Sequence, residues 1–264
     1  MPEGLPERFR RAGGELATAG DLAAALRRAA ARGETVKDEE ETLLLREDHP
    51  EVGRRWWKLY RVPSRRRAFA WLGRSRARRE FAALRALAAA GLPAAPALAW
   101  AEERRGPLLV SSLLVTGGLA ATGDLAARWR DPATDAEERL RLAAAAGRAA
   151  ARLHEVGFGH FRMQLRNLVE AGGRIHWLDA PFACRWPGPV PDRIRAVDLA
   201  DLAGADSPFA LAEAEACLLA YAAVAGRAPD LDRLRRRGRL GRKVRRVAWY
   251  LLAVNGGRRI PLSP

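Results

Sequence analysis

Two short segments carry residue types suited to group transfer. In GHFRMQLRNLV, Gly159 to Val169, a His is followed seven residues later by an Asn, and in RIHWLDAP an apolar run ends at Asp179. An amide oxygen from Asn167 and a carboxylate oxygen from Asp179 suit a hard divalent cation that bridges phosphate oxygens. Upstream, WWKLYRV places Lys58 in strand-like alternation and SRARREFAALRAL places Glu80 in a helical stretch. A lysine that grips the α- and β-phosphates, and a helix glutamate that holds that lysine, are what phosphoryl transfer from a nucleoside triphosphate requires. One member is missing. The base of such a loop stands two residues after the His, and here that position is Arg162, with no Asp or Glu between Glu155 and Glu170. A guanidinium stays protonated and cannot accept a hydroxyl proton. Losing such a base slows transfer by about 10²- to 10⁴-fold, whereas an arginine at that place can bind a phosphate or a carboxylate.

Other readings of these residues stay open on sequence alone. A strand lysine can simply be exposed, Glu80 can belong to a solvated charged face with Arg78 and Arg79, and Asn167 and Asp179 can be turn residues. His160 reads as a packing residue of the loop rather than a proton carrier. His49, His154 and His176 show no metal-ligand spacing, and Cys184 and Cys217 are isolated thiols, so neither a zinc site nor a disulfide framework is expected.

Composition limits what the charge can mean. The formal net charge is +15, which by itself suggests a polyanionic partner. Of the 46 basic residues, however, all but Lys37, Lys58 and Lys243 are arginine, which together with heavy alanine use reads as coding bias. A lysine retained in such a chain points to a site that needs a compact ammonium; asparagine is scarcer still, at Asn167 and Asn255. The tract RLRRRGRLGRKVRR, Arg233 to Arg246, reads as a solvated helix face, with anionic lipid as its alternative partner. Nucleic acid is the least supported partner, because aromatic interleaving and zinc spacing are both absent. The start, MPEGLPERFRR, lacks the apolar core of a signal peptide, and no run approaches the length of a membrane-spanning helix. A cytoplasmic protein, or one peripheral to a membrane, is the expectation.

The elements that must position these residues follow from periodicity. GDLAAALRRAAARG predicts a helix near Leu22 to Ala31. ETVKDEEETLLLRED and GRRWWKLYRV predict two or three antiparallel strands, and SRARREFAALRALAAAG a helix that stops at Gly91. GPLLVSSLLVTGGL supplies one or two further strands. TDAEERLRLAAAAGRAAARLHEVG predicts a long helix capped by Thr134 with Glu137 at capping-box spacing and closed at Gly157. Two short strands near Leu168 to Glu170 and Arg174 to Leu178 come next. A helix capped by Ser207, with Pro208 at its first position, runs to Gly226, and two Arg-rich helices end the chain.

Taken in order, WWKLYRV, SRARREFAALRAL, AGLPAAPAL, LHEVGFGHFRMQLRNLV, IHWLDAPFA and AVDLADLAG resemble the lipopolysaccharide kinase family, the Kdo and heptose kinases, over about residues 34 to 225. The resemblance implies an α+β protein-kinase-like fold with a small antiparallel-sheet N-lobe and a larger helical C-lobe. Residues 1–33 would form a helical extension, 34–117 the N-lobe and 118–264 the C-lobe with basic C-terminal helices. It implies ATP and Mg²⁺ as cofactors, with Lys58 and Glu80 on the nucleotide, Asn167 and Asp179 on the metal, and Asp198 pinning the catalytic-loop backbone from a helix beneath. The acceptor would be a sugar hydroxyl of lipopolysaccharide or a lipid A-core precursor, and any membrane the protein lies against would be the inner one. The alternative is a catalytically impaired pseudokinase that acts as a scaffold or regulator. Two further departures accompany Arg162. The expected phosphate-loop turn reads KDEEET, acidic where backbone N–H groups would cradle phosphate, and the metal loop reads DAP, with Pro181 restricting its movement.

Overall fold

The structure is a computed structural model describing residues 5–16, 19–49, 53–64, 74–121, 123–204 and 207–226. The basic tract Arg233 to Arg246 and the two Arg-rich helices expected with it lie outside the described residues. The first half is built on a six-stranded antiparallel sheet. Its strands are β1 (Arg11–Gly14), β2 (Glu34–Glu39), β3 (Thr42–His49), β4 (Gly53–Arg61), β5 (Ala97–Arg105) and β6 (Leu108–Gly117), in spatial order β1-β5-β6-β4-β3-β2. Helices α1 (Ala19–Arg32) and α2 (Arg76–Ala89) pack with it.

Strand alternation sends successive side chains of β4 to opposite faces. Trp57 and Leu59 face the core that α1 closes with Leu22, Ala23, Leu26 and Ala29. Tyr60 faces the other core, with Ala77 and Leu84 of α2 and Leu114 of β6. Lys58 shares the parity of Tyr60 and is paired with Leu44 of β3 and Leu114 of β6. The same alternation that buries Trp57 and Leu59 under α1 therefore delivers Lys58 to α2. Residues 5–33, expected as an extension, supply the outer strand β1 and the helix that covers one sheet face.

Two strands of this sheet escaped the sequence reading. β1 holds two glycines and little apolar surface. β5 reads ALAWAEERR and buries Ala97, Ala99, Ala101 and Glu102, small or charged residues that carry no hydrophobic alternation signal.

In the helical half, α3 (Leu125–Arg130) precedes the 20-residue α4 (Ala136–Glu155), followed by β7 (Phe158–Gly159), β8 (Leu168–Ala171), β9 (Arg174–Trp177), β10 (Cys184–Arg185), α5 (Asp192–Ala203) and α6 (Leu211–Ala225). The core gathers Leu142, Ala146 and Ala150 of α4 with Phe158, Trp177, Leu199 and Tyr221. Small residues along α4 allow close helix approach: a Cβ at Gly147 would stand 2.0 Å from the Cys217 carbonyl oxygen of α6. β8 and β9 form a hairpin whose turn residues, Gly172 at φ 56° and Gly173 at φ 71°, both take the left-handed conformation that suits a two-residue hairpin turn. The hairpin is tied to the segment leading into β5, since Ala95 N–H donates to Trp177 O at 2.8 Å and Trp177 N–H to Pro93 O at 3.1 Å.

Two expected caps are corrected. The N-cap of α4 is Asp135, whose carboxylate accepts from Glu138 N–H at 2.8 Å, while Thr134 Oγ1 donates to Arg128 O. α6 starts at Leu211 rather than at Pro208; Ser207 Oγ donates to Leu202 O at 2.6 Å and so closes α5. Both errors come from taking the first capping residue in the sequence, where a tertiary or neighbouring-helix carbonyl claims its hydroxyl. Among the described residues no helix is long and apolar enough to cross a membrane.

Candidate active site

Helix α2 brings three side chains to one face at i, i+3 and i+4 spacing: Arg76, Arg79 and Glu80. The helix starts where it does because Ser75 Oγ accepts from Arg78 N–H at 3.2 Å, and because the buried Glu102 carboxylate of β5 accepts from Ser75 N–H at 3.2 Å. Arg104 Nε donates to the second oxygen of Glu102 at 2.8 Å. With its start anchored to the sheet, α2 holds Glu80 against β4.

Glu80 is fully buried. Its Oε1 accepts from Lys58 Nζ at 2.8 Å and its Oε2 from the Tyr60 hydroxyl at 2.6 Å. Burial opposes the Lys58 ammonium, but the charges of Glu80, Tyr60 and Asp179 outweigh it and push the Lys58 pKa up. For Glu80, burial and the Asp179 charge push the carboxyl up while Lys58 and Arg76 pull it down. A carboxylate 2.8 Å away stabilises the ammonium directly and keeps Lys58 charged. The pair is thus a closed ion pair with Tyr60 completing the carboxylate's hydrogen bonds.

Across the cleft, Asn167 and Asp179 stand at the open end of the β8–β9 hairpin. Leu168 pairs with Trp177, and Leu178 N–H donates to Asn167 O at 2.9 Å, so Asp179 follows directly on the residue opposite Asn167. The Asn167 side-chain amide is oriented by the loop itself, Nδ2 donating to Arg162 O at 2.8 Å. Asp179 Oδ2 takes a single long contact from Arg76 Nη2 at 3.3 Å, and Asp179 Oδ1 is buried without a hydrogen-bond partner among the described residues. Burial raises the Asp179 pKa, yet the Lys58, Arg76 and Arg162 cations together hold the carboxyl below its usual range. An orphaned carboxylate oxygen beside a fixed amide is a hard oxygen donor set of the kind that, with phosphate oxygens, suits Mg²⁺.

The loop between is pinned from below. Asp198 of α5, fully buried, accepts His160 N–H on Oδ2 at 2.7 Å and Phe161 N–H on Oδ1 at 2.6 Å. Phe161 has φ 61°, a left-handed conformation that costs a bulky residue about 1–3 kcal/mol and persists where the surroundings over-determine it. Asp198 does so. It is anchored in turn by His154 Nε2 at 3.1 Å, and His154 Nδ1 lies 3.0 Å from the Tyr221 hydroxyl, which also accepts from Arg195 Nη1 at 3.1 Å. The His160 ring packs on Trp177 with centroids 5.0 Å apart, and burial lowers its pKa, so it is a neutral packing group.

Arg162 lies half-buried on this loop. Burial and the neighbouring Arg166 and Arg76 charges lower its pKa while Asp179 and Asp201 oppose them. A guanidinium starts so far above neutrality that it remains a cation. The position where a proton acceptor would stand is therefore held by a positive charge in the electrostatic neighbourhood of Asp179.

Residues 20–179, more than half of the chain, match the sequence model of the lipopolysaccharide kinase (Kdo/WaaP) family. The chain belongs to that family. A solved structure, WaaP in complex with acyl carrier protein, superposes with a TM-score of 0.52 at 23% identity, covering 88% of this chain and 91% of that one. At that identity the likeness shows the kinase-like fold. No curated protein matches the chain.

In this family member the structure brings Lys58, Glu80 and Asp179 into one charge cluster, sets Asn167 opposite Leu178, the residue before Asp179, and sets Asp198 beneath the loop. The turn between β2 and β3, at Glu40 and Glu41, is the acidic one foreseen from KDEEET. Sequence reasoning missed Tyr60, Arg76, Arg79, His154, Arg195 and Tyr221. Tyr60 and Arg76 carried a usable signal: each lies on the same face as a candidate, two residues after Lys58 in the strand and four before Glu80 in the helix. His154 and Tyr221 lie 67 residues apart and carried none.

Proposed function

We propose that this lipopolysaccharide kinase family protein binds ATP with Mg²⁺ in the cleft between its lobes, and that its capacity to transfer the γ-phosphoryl to a sugar hydroxyl of envelope glycolipid is impaired at Arg162. One observation carries the nucleotide half of this reading: Lys58 is held by Glu80 at 2.8 Å on the sheet face that α2 covers, with the Asp179 charge acting on both. Lys58 would grip the α- and β-phosphates, kept charged by Glu80 and aligned by Tyr60. Asn167 and Asp179 would hold the metal, which neutralises charge on the phosphate oxygens as transfer proceeds. Asp198 would fix the loop's backbone so that residues 160–162 keep their placement when the cleft fills.

The impaired half rests on Arg162. Positioning and electrostatics supply most of the catalysis in phosphoryl transfer, so the cleft keeps part of its power without a base. The acceptor hydroxyl, however, meets a cation where its proton should go. A pseudokinase that uses nucleotide to set the relation of its lobes is the second reading, and Arg162 is the observation that favours it. Phosphotransfer from labelled ATP to purified lipopolysaccharide core separates the two. Arg162→Asp should raise the rate by about 10²-fold or more; an unchanged rate would show that the family chemistry has been lost beyond this one residue.

A further inference from the structure

Helix α2 sends a second cation into the cleft that the account above does not use. Arg76, one turn before Glu80, stacks over the Tyr60 ring with its guanidinium carbon 4.3 Å from the centroid. Its single hydrogen bond among the described residues goes to Asp179 Oδ2 at 3.3 Å, longer than the about 2.7–2.9 Å of a well-made charge-assisted contact. Its Nε is buried with no partner among the described residues, although the side chain as a whole is 32% exposed. The group is therefore held in place by a ring and left short of acceptors. A buried guanidinium donor without an acceptor is unfavourable, and an anion entering the cleft would relieve it.

The neighbours sharpen what that anion is. Arg79, on the same face, donates to Pro181 O at 3.3 Å and so clamps α2 onto the loop that carries Asp179. Lys58 and Arg162 add positive charge around the same carboxylate. Asp179, which in the reading above holds the metal, thus already has a guanidinium on one of its two oxygens. The cluster has the charge that a divalent ion would otherwise bring to the phosphates.

We propose that Arg76 is a phosphate-binding residue of this cleft and that, with Lys58 and Arg162, it allows the triphosphate chain of a nucleotide to bind without a divalent ion. The inference rests on the nucleotide reading above. On phosphate entry Arg76 turns its fork from Asp179 to the phosphate oxygens, keeping its stack on Tyr60. Bidentate capture of phosphate is the interaction that a guanidinium makes best.

The test is calorimetric titration of the full chain with ATP in EDTA and in Mg²⁺, for the wild type, Arg76→Gln and Arg76→Lys, with tripolyphosphate as a second titrant. Wild-type affinity for ATP in EDTA should stay within about tenfold of that in Mg²⁺. Arg76→Gln should lose about tenfold or more in EDTA, the worth of one charge-assisted hydrogen bond, and keep most of its affinity in Mg²⁺. Arg76→Lys should recover part of the loss, since it keeps charge but not the fork. Tripolyphosphate should follow the same order if the phosphates alone are recognised, and an unchanged Arg76→Gln affinity for it would overturn the proposal. Wild-type binding in Mg²⁺ only would overturn this inference and leave the nucleotide reading intact. No binding in either buffer would overturn both. Thermal unfolding of each variant without ligand shows whether a loss of binding comes from the site or from the fold.

Discussion

At the scale of single residues, the cleft is arranged around three carboxylates with different tasks. Glu80 is consumed by Lys58 and Tyr60, Asp198 by backbone N–H groups of the loop, and Asp179 keeps one oxygen without a partner. The closed pair makes a prediction that separates stability from binding. Lys58→Met leaves the Glu80 charge buried and uncompensated, and should lower unfolding free energy by about 3 kcal/mol, the lower end for breaking a buried pair because Lys58 is 21% exposed. Adding Glu80→Gln should restore most of that loss in urea unfolding while ATP binding stays abolished. Restored binding in the double variant would remove Lys58 from the phosphate site. At this scale much was legible in the sequence. Lys58 stood out because the chain has so few lysines, and Asp179 because it ends an apolar run. The helical spacing placed Arg76 on the face of Glu80, but its contact with Asp179 and that of Arg79 with Pro181 were not legible, since an arginine on a helix looks the same whether its face meets solvent or a loop 102 or 103 residues away.

At the scale of elements, two contacts decide where the site residues stand. Strand β4 divides its side chains between α1 and α2, and α2 is fixed at its first turn by Glu102 and at its Arg79 by the Pro181 carbonyl. In the helical half, α4 and α6 meet at Gly147. An alanine there would gain about 1 kcal/mol of helix propensity but bring its Cβ against a backbone oxygen at 2.0 Å, which cannot move without shifting α6. Steric conflict outweighs propensity, and Gly147→Ala should destabilise the protein by about 1–3 kcal/mol in urea unfolding. A stabilised variant would mean that the two helices are not in contact there. Helices α1, α2 and α4 and the β8–β9 hairpin were foreseen because their apolar periodicity and stop glycines are local signals. β1, β5 and the start of α6 were not, because their determinants are pairing partners and carbonyls elsewhere in the chain.

Over the whole molecule, the sheet packs its own core against α1, while Ala83 and Leu87 of α2 join the core of the helical half, and perturbed carboxyls and histidines set the pH response. Asp179, Glu102, Glu138 and Glu170 all titrate below their usual range. For Glu138 and Glu170 the leading cause is hydrogen bonding from Arg141; for Glu102 burial is overcome by hydrogen bonds from Arg104 and Ser75; for Asp179 burial is overcome by surrounding cations. A depressed carboxyl pKa contributes stability that is fully present above the unfolded value of about 4 and is lost as pH falls through the folded value. Glu80, raised by burial first and Asp179 second, works in the opposite direction, but it is one group against four. Burial also lowers the pKa of His160 and His176, so stability is lost as pH falls through the unfolded histidine value of about 6.5. Unfolding midpoints should therefore decline from pH 7 to 5 and drop further below about pH 4, and an unchanged midpoint at pH 3 would contradict the network. The net charge of +15 does not enter this site argument, because it reflects arginine use over the whole chain.

Titration of ATP into the wild type and Asp179→Ala, each with and without Mg²⁺, decides whether the cleft is a working nucleotide site. ATP should bind the wild type, Mg²⁺ should increase the affinity, and Asp179→Ala should abolish the increase while leaving the metal-free component carried by Lys58 and Arg76. Absence of binding to the wild type up to millimolar ATP in either buffer would contradict the nucleotide reading, and GHFRMQLRNLV would then be the outline of a site that no longer takes nucleotide.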